Sequence, residues 1–183
     1  VNNCQKGSPI KRGVSASTVG VWCMVVLYAL YFSVRTVGVH NGLGTSAYDF
    51  GLYDQGIWLM SRGHSPFVTL MGRNLFGDHS SFILVLLIPL YWIFSSTSIL
   101  FVVQSIVVAI GALPVYWFSR QRLRSEPLAA TMAGVYLLHP SIGWTNLENF
   151  HPDAALGTLV AFAIWAAFAG KWRWYWVAVV LAL

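Results

Sequence analysis

The chain has 183 residues, of which 57% are hydrophobic, 15% aromatic and only 9% Asp, Glu, Lys or Arg. A soluble domain carries about 25% charged residues, so this composition excludes one and points to an integral membrane protein. The net charge of +5 therefore reads as a topology signal, and no nucleic-acid partner is expected.

In chain order, residues 1–18 are a basic tail carrying Lys6, Lys11 and Arg12. A first apolar run, 19–39, is long and has no small-residue cleavage site, so it reads as a retained span and not a signal peptide. Residues 40–97 form a long loop, of a length that usually carries function or its own structure. Within it, 49–61 has helical character, with Phe50, Tyr53, Ile57 and Met60 on one side. Arg62 and Gly63 end that helix. The run 82–94 covers only about 20 Å as a helix, short of the roughly 30 Å hydrocarbon core, and Pro89 interrupts its hydrogen-bond ladder. It reads as an interfacial or re-entrant helix. Further spans are expected at 98–118, 127–144 and 153–170, with a fifth starting near Trp174. That last run stops within apolar sequence, so a longer parent protein is expected. The fold class is all-α: a polytopic membrane protein with about five transmembrane helices.

The basic residues orient it. With 82–94 not crossing, Lys6, Lys11, Arg12, Arg120, Arg122, Arg124, Lys171 and Arg173 share one side, the cytoplasmic one by the positive-inside rule. The N-terminus is then cytoplasmic. Asp49, Asp54, Asp78, Glu148 and Asp153 fall on the outer side, and all five histidines fall there or at its edge. Most groups able to do acid–base chemistry thus share one face.

Each acid also has a structural explanation. Asp49 suits an N-cap. Asp54 lies about 140° around the same helix, so the two form no paired-carboxylate site. Asp78 and Asp153 precede apolar helices, where the dipole favours an acid. Gln104 inside the second span reads as a helix–helix hydrogen bond. Acids near a bilayer are nonetheless costly and usually functional.

The stretches DFGLYDQGIW (49–58), NLFGDHSSFIL (74–84), GALPVYWFSRQRL (111–123) and NLENFHPDAAL (146–156) resemble a bacterial family of membrane proteins, the domain of unknown function DUF2079. The layout also resembles the GT-C superfamily of membrane glycosyltransferases, which use polyprenyl-phosphate sugars. The resemblance covers about residues 19–183. It implies a bacterial plasma-membrane enzyme moving a sugar from a polyprenyl-phosphate donor to a cell-envelope acceptor on the outer face. By that resemblance Asp49, ahead of Gly63, matches the catalytic acid of the first outer loop and would act as general base. Arg73, His79 or His151 would pair the leaving phosphate. Asp54, Asp78, Glu148 and Asp153 would orient sugar hydroxyls or hold a divalent cation such as Mg or Mn. Phe50 stands where a second acid commonly follows, which argues against a metal-binding pair. Membrane lipids are the other expected partner. The 183-residue chain by itself is expected to be inactive. A transporter or flippase, or a non-catalytic envelope-assembly subunit, is the alternative reading.

Overall fold

The computed structural model describes residues 15–77, 81–94 and 96–183. Helix α1 (Ala16–Asn41) starts at Ser15, whose hydroxyl caps the Thr18 N–H, and ends at Gly42. At about 39 Å it is long enough to cross a bilayer. Only 17% of its most apolar window is buried, and Trp22, Leu27, Leu30, Tyr31 and Val34 face outward. A helix of that length showing so much apolar surface is suited to apolar surroundings, lipid or the face of another helix.

Helix α2 (Ala47–Ser61) follows, then a two-stranded antiparallel ribbon of β1 (Phe67–Val68) and β2 (Arg73–Asn74). The ribbon is the one departure from an all-helical reading among the described residues. It turns through Gly72, whose φ of +66° is open to glycine at little cost. The run expected as one helix over 82–94 is a 3-10 turn, Phe82–Leu87, followed by α3 (Ile88–Ile93). Pro89 sits in the first turn of α3, where its missing N–H costs nothing, so proline starts this helix instead of breaking one.

Helices α4 (Ile99–Ile110) and α5 (Ala112–Leu123) run on through Gly111 as one apolar rod, Ile99–Leu123. The interruption has a local cause: Pro114 lacks the N–H that would reach Ile110 and its ring crowds that carbonyl. This rod and α1 are the two described helices long and apolar enough to cross a membrane. The expected third span over 127–144 is divided at His139, which ends α6 (Glu126–Leu138) and begins α7 (Pro140–Glu148). The cause is again proline, since the residue before Pro140 is pushed to extended backbone and His139 has ψ 129°. Helices α8 (Ala154–Phe168) and α9 (Trp172–Leu181) form a hairpin through Gly170, at φ +68°.

Side-chain bonds fix which ends lie together. Thr18 and Tyr116 share a hydroxyl–hydroxyl bond of 2.9 Å, and His40 Nε2 lies 3.2 Å from Thr97 Oγ1. Helix α1 is therefore antiparallel to the α4–α5 rod. The Arg122 guanidinium stacks on Phe168 at 4.4 Å and Lys171 on Trp165 at 4.5 Å. Arg120, Arg122, Arg124, Lys171 and Arg173 thus gather at one end of the bundle. Asp49, Asp54, Glu148 and Asp153 gather at the other.

Two clusters fill the interior. One joins α1, α5 and α6 around Val21, Val25, Ala112, Tyr116 and Ala133. The other lies at the acidic end, joining α2, α3 and α4 around Phe50, Ile57, Leu84, Leu100 and Phe101. Gly111 sits where three helices meet, and a Cβ there would run into the hydroxyls of Tyr136 and Thr158. Those hydroxyls bond Val108 O at 3.1 Å and Val107 O at 2.8 Å. Small residues at such crossings are what let membrane helices approach. Gly111→Ala should therefore lower stability by about 1–3 kcal/mol through overpacking, seen as a lower thermal midpoint in detergent than that of Gly157→Ala, whose Cβ would meet open space.

Candidate functional site

Helix α2 is capped by Ser46 and not by Asp49. The Ser46 hydroxyl accepts the Asp49 N–H at 3.3 Å, which makes Asp49 the third residue of the helix. The Ser46 N–H is taken by Asn149 Oδ1 at 3.0 Å, from a loop 103 residues away. Asp49's carboxylate therefore serves neither half of the cap. Asp153 stands at the start of α8, and its side chain likewise makes no capping bond.

Both acids face one cavity of about 330 Å³, walled by Tyr48, Asp49, Leu52, Tyr53, Met71, Leu75, Ser81, His151 and Asp153. The Tyr53 ring meets His151 edge-on at 5.6 Å and Phe150 at 5.9 Å. Of the residues singled out from sequence, Asp49, His151 and Asp153 come together here.

The others do not. Asp54 points away from the cavity and accepts the Tyr91 hydroxyl at 2.7 Å. Burial raises its carboxyl above the ordinary range, while Tyr91 and the nearby His40 pull it back. Burial, and then the bond and charge of Asp54, hold the Tyr91 phenol well above its usual range. With Trp92 Nε1 donating to Ser61 O at 2.8 Å, this pair ties α3 under α2. Asp54 is thus a strut between two helices. Glu148 is exposed at the end of α7, and Arg73 is exposed on β2; neither lines the cavity. Asp78 and His79 lie outside the described residues. Among the described residues no group of three or more His, Cys, Asp or Glu could hold a metal ion.

His151 also opens onto a second space. A groove of about 160 Å³ lies against the 82–93 segment, lined by Ile83, Leu84, Leu86, Leu87, Val103, Val107, Ala154 and Ala155, with Gln104 and His151 also in its wall. Gln104 holds that wall in place. Its amide donates to Asn149 O at 2.9 Å and Thr145 O at 3.2 Å, and its Oε1 accepts the His151 N–H at 2.9 Å. Ser105 donates to the fully buried Asn146 at 3.1 Å. Sequence reasoning gave Gln104 a bond between helices. That bond forms, from α4 to the Thr145 carbonyl in α7, and the same side chain also holds the backbone of Asn149 and His151 in the loop that carries the site. The pattern Ser46-Ala47-Tyr48-Asp49 was a legible cap signal, whereas nothing local marks Asn149.

A family model described as Predicted membrane protein (DUF2079) matches residues 39–183. The chain belongs to this family. It is a membrane protein, and the matched stretch includes every wall of the cavity and the groove. No curated protein and no solved structure matches the chain.

The Asp54–Tyr91 strut has a pH signature. A carboxyl raised in the folded state binds protons more readily than in the unfolded chain, so its contribution to stability falls as pH rises through its folded value. The Tyr91 hydroxyl offsets this by stabilising the ionised form. Tyr91→Phe should cost about 1–3 kcal/mol at neutral pH and distinctly less where Asp54 is protonated, as read from denaturation midpoints of both proteins across the acid range.

Proposed function

We propose that the DUF2079 chain belongs to a multi-pass GT-C-type glycosyltransferase, moving a sugar from a polyprenyl-phosphate donor to an envelope acceptor outside a bacterial plasma membrane. The observation that supports this reading is the junction at His151. There a polar cavity carrying Asp49 and Asp153 meets an apolar groove. An amphiphilic donor needs that pairing: dry surface for its isoprenoid chain, and acids with hydrogen-bonding groups for its sugar.

In the reaction, Asp49 takes the proton of the acceptor hydroxyl as that oxygen bonds C1 of the sugar. The bond from C1 to the phosphate oxygen breaks, and the lipid phosphate departs. His151 and the N-terminal end of α8 face the place where its charge develops. Asp153 accepts sugar hydroxyls at the rim. Arg73, exposed on the ribbon, is the phosphate partner that the groove's geometry supports less well. Asp54 acts at a distance, holding the roof of the groove.

The reading takes α6 with α7, α8 and α9 as further crossings beside α1 and the α4–α5 rod, giving five. The basic end is cytoplasmic and the acidic end external. In a chain freed of Cys4 and Cys23, a cysteine placed at Glu148 should react with an impermeant maleimide on intact cells. One placed at Arg124 should react only after permeabilisation; the reverse pattern would invert the topology.

Donor turnover is measured on the full-length parent in lipid, with a panel of radiolabelled polyprenyl-phosphate sugars. Asp49→Asn should lower transfer about 100-fold or more while donor binding persists. Full transfer by Asp49→Asn would sink Asp49 as the base.

A further inference from the structure

Helix α2 begins with the pattern of a capping box, in which the first residue's hydroxyl and the fourth residue's acid each take an N–H of the other. Only half of that box forms. The Ser46 hydroxyl takes the Asp49 N–H at 3.3 Å, but the Ser46 N–H is already occupied by Asn149 Oδ1 at 3.0 Å. The carboxylate of Asp49 instead lines the cavity. A carboxylate that caps its own helix is fixed against the backbone and unavailable to a substrate hydroxyl.

We propose that Asn149 is a positioning residue for the cavity: by standing in for Asp49 at the α2 cap, it keeps the Asp49 carboxylate turned toward the substrate space. The device is held by residues that do not touch the cavity's acids. Gln104, buried in α4, receives the His151 N–H and donates to the Asn149 carbonyl, so the loop cannot slide relative to α4. Neutral asparagine suits the task. It offers an acceptor of the same shape as an aspartate's without adding a second negative charge beside Asp49, which would repel it. The proposal rests on the reading of Asp49 as the group that works in the cavity, but its geometry is testable without any reaction.

The test is hydrogen exchange of the Ser46 amide, followed by NMR on serine-labelled protein in nanodiscs. Asp49→Ala is measured in two backgrounds, one with Asn149 and one with Asn149→Ala. With Asn149 present, Asp49→Ala should leave the Ser46 exchange rate unchanged. With Asn149→Ala, Asp49 swings back to the cap, so the same substitution should now speed exchange about tenfold. Asn149→Asp, which keeps the acceptor, should restore the first pattern. An equal effect of Asp49→Ala in both backgrounds, whether none or a large one, overturns the proposal. If Asn149→Ala does not fold, Asn149→Ser, too short to reach the Ser46 N–H, serves as the second background. The exchange is read without substrate. Failure of the transferase reading would therefore leave this result standing, and failure here would leave the donor assay untouched.

Discussion

The acidic end of this protein depends on one amide inside an apolar helix. Gln104 is 3% exposed and lies in α4, where a polar side chain without partners would be costly. It finds them in a carbonyl of the last turn of α7, at Thr145, where the helix leaves acceptors unpaired, and in the backbone of Asn149 and His151 just beyond. The bond is mutual: the loop satisfies the amide, and the amide gives the loop one position. Helix α2 then takes its place from that loop through Asn149, and α3 takes its place from α2 through Asp54 and Trp92. Each step transmits the position of α4 outward to the next element.

That chain of dependence explains the division of labour among the acids. A carboxylate near a membrane is stable only if water reaches it or a partner meets it. Asp54 met a partner, became half-buried and turned structural. Asp49 and Asp153 kept water and the cavity. Three acids of similar setting in sequence thus end in two kinds of surroundings, one against a tyrosine between helices and two on the cavity wall.

The basic end is built differently. Its cations rest on aromatic faces, Arg122 on Phe168 and Lys171 on Trp165, and Arg120 lies 3.6 Å from Glu126 at the surface. Such contacts let long side chains cover apolar surface while their charges stay wet. They anchor an end without shaping a cavity, which fits a protein whose chemistry-bearing groups lie at the opposite end.

The sequence by itself determined the membrane class, the apolar rod near 98–118, the helix over 49–61 with its stop at Arg62 and Gly63, and the sharing of ends between acids and basic residues. Those follow from composition, periodicity and terminators, which act within a few residues. It did not determine the break of 127–144 at His139, where an apolar run concealed the restraint that Pro140 places on its neighbour. Nor did it reveal that 82–94 is two short turns. Only the tertiary structure decided which acids face the cavity. Asp49 was legible as the N-cap, but Ser46 holds that position and makes Asp49 the third residue of the helix. Asn149, from a loop 103 residues away, occupies the Ser46 N–H that a carboxylate at that third position could take, and no local pattern records a partner so distant.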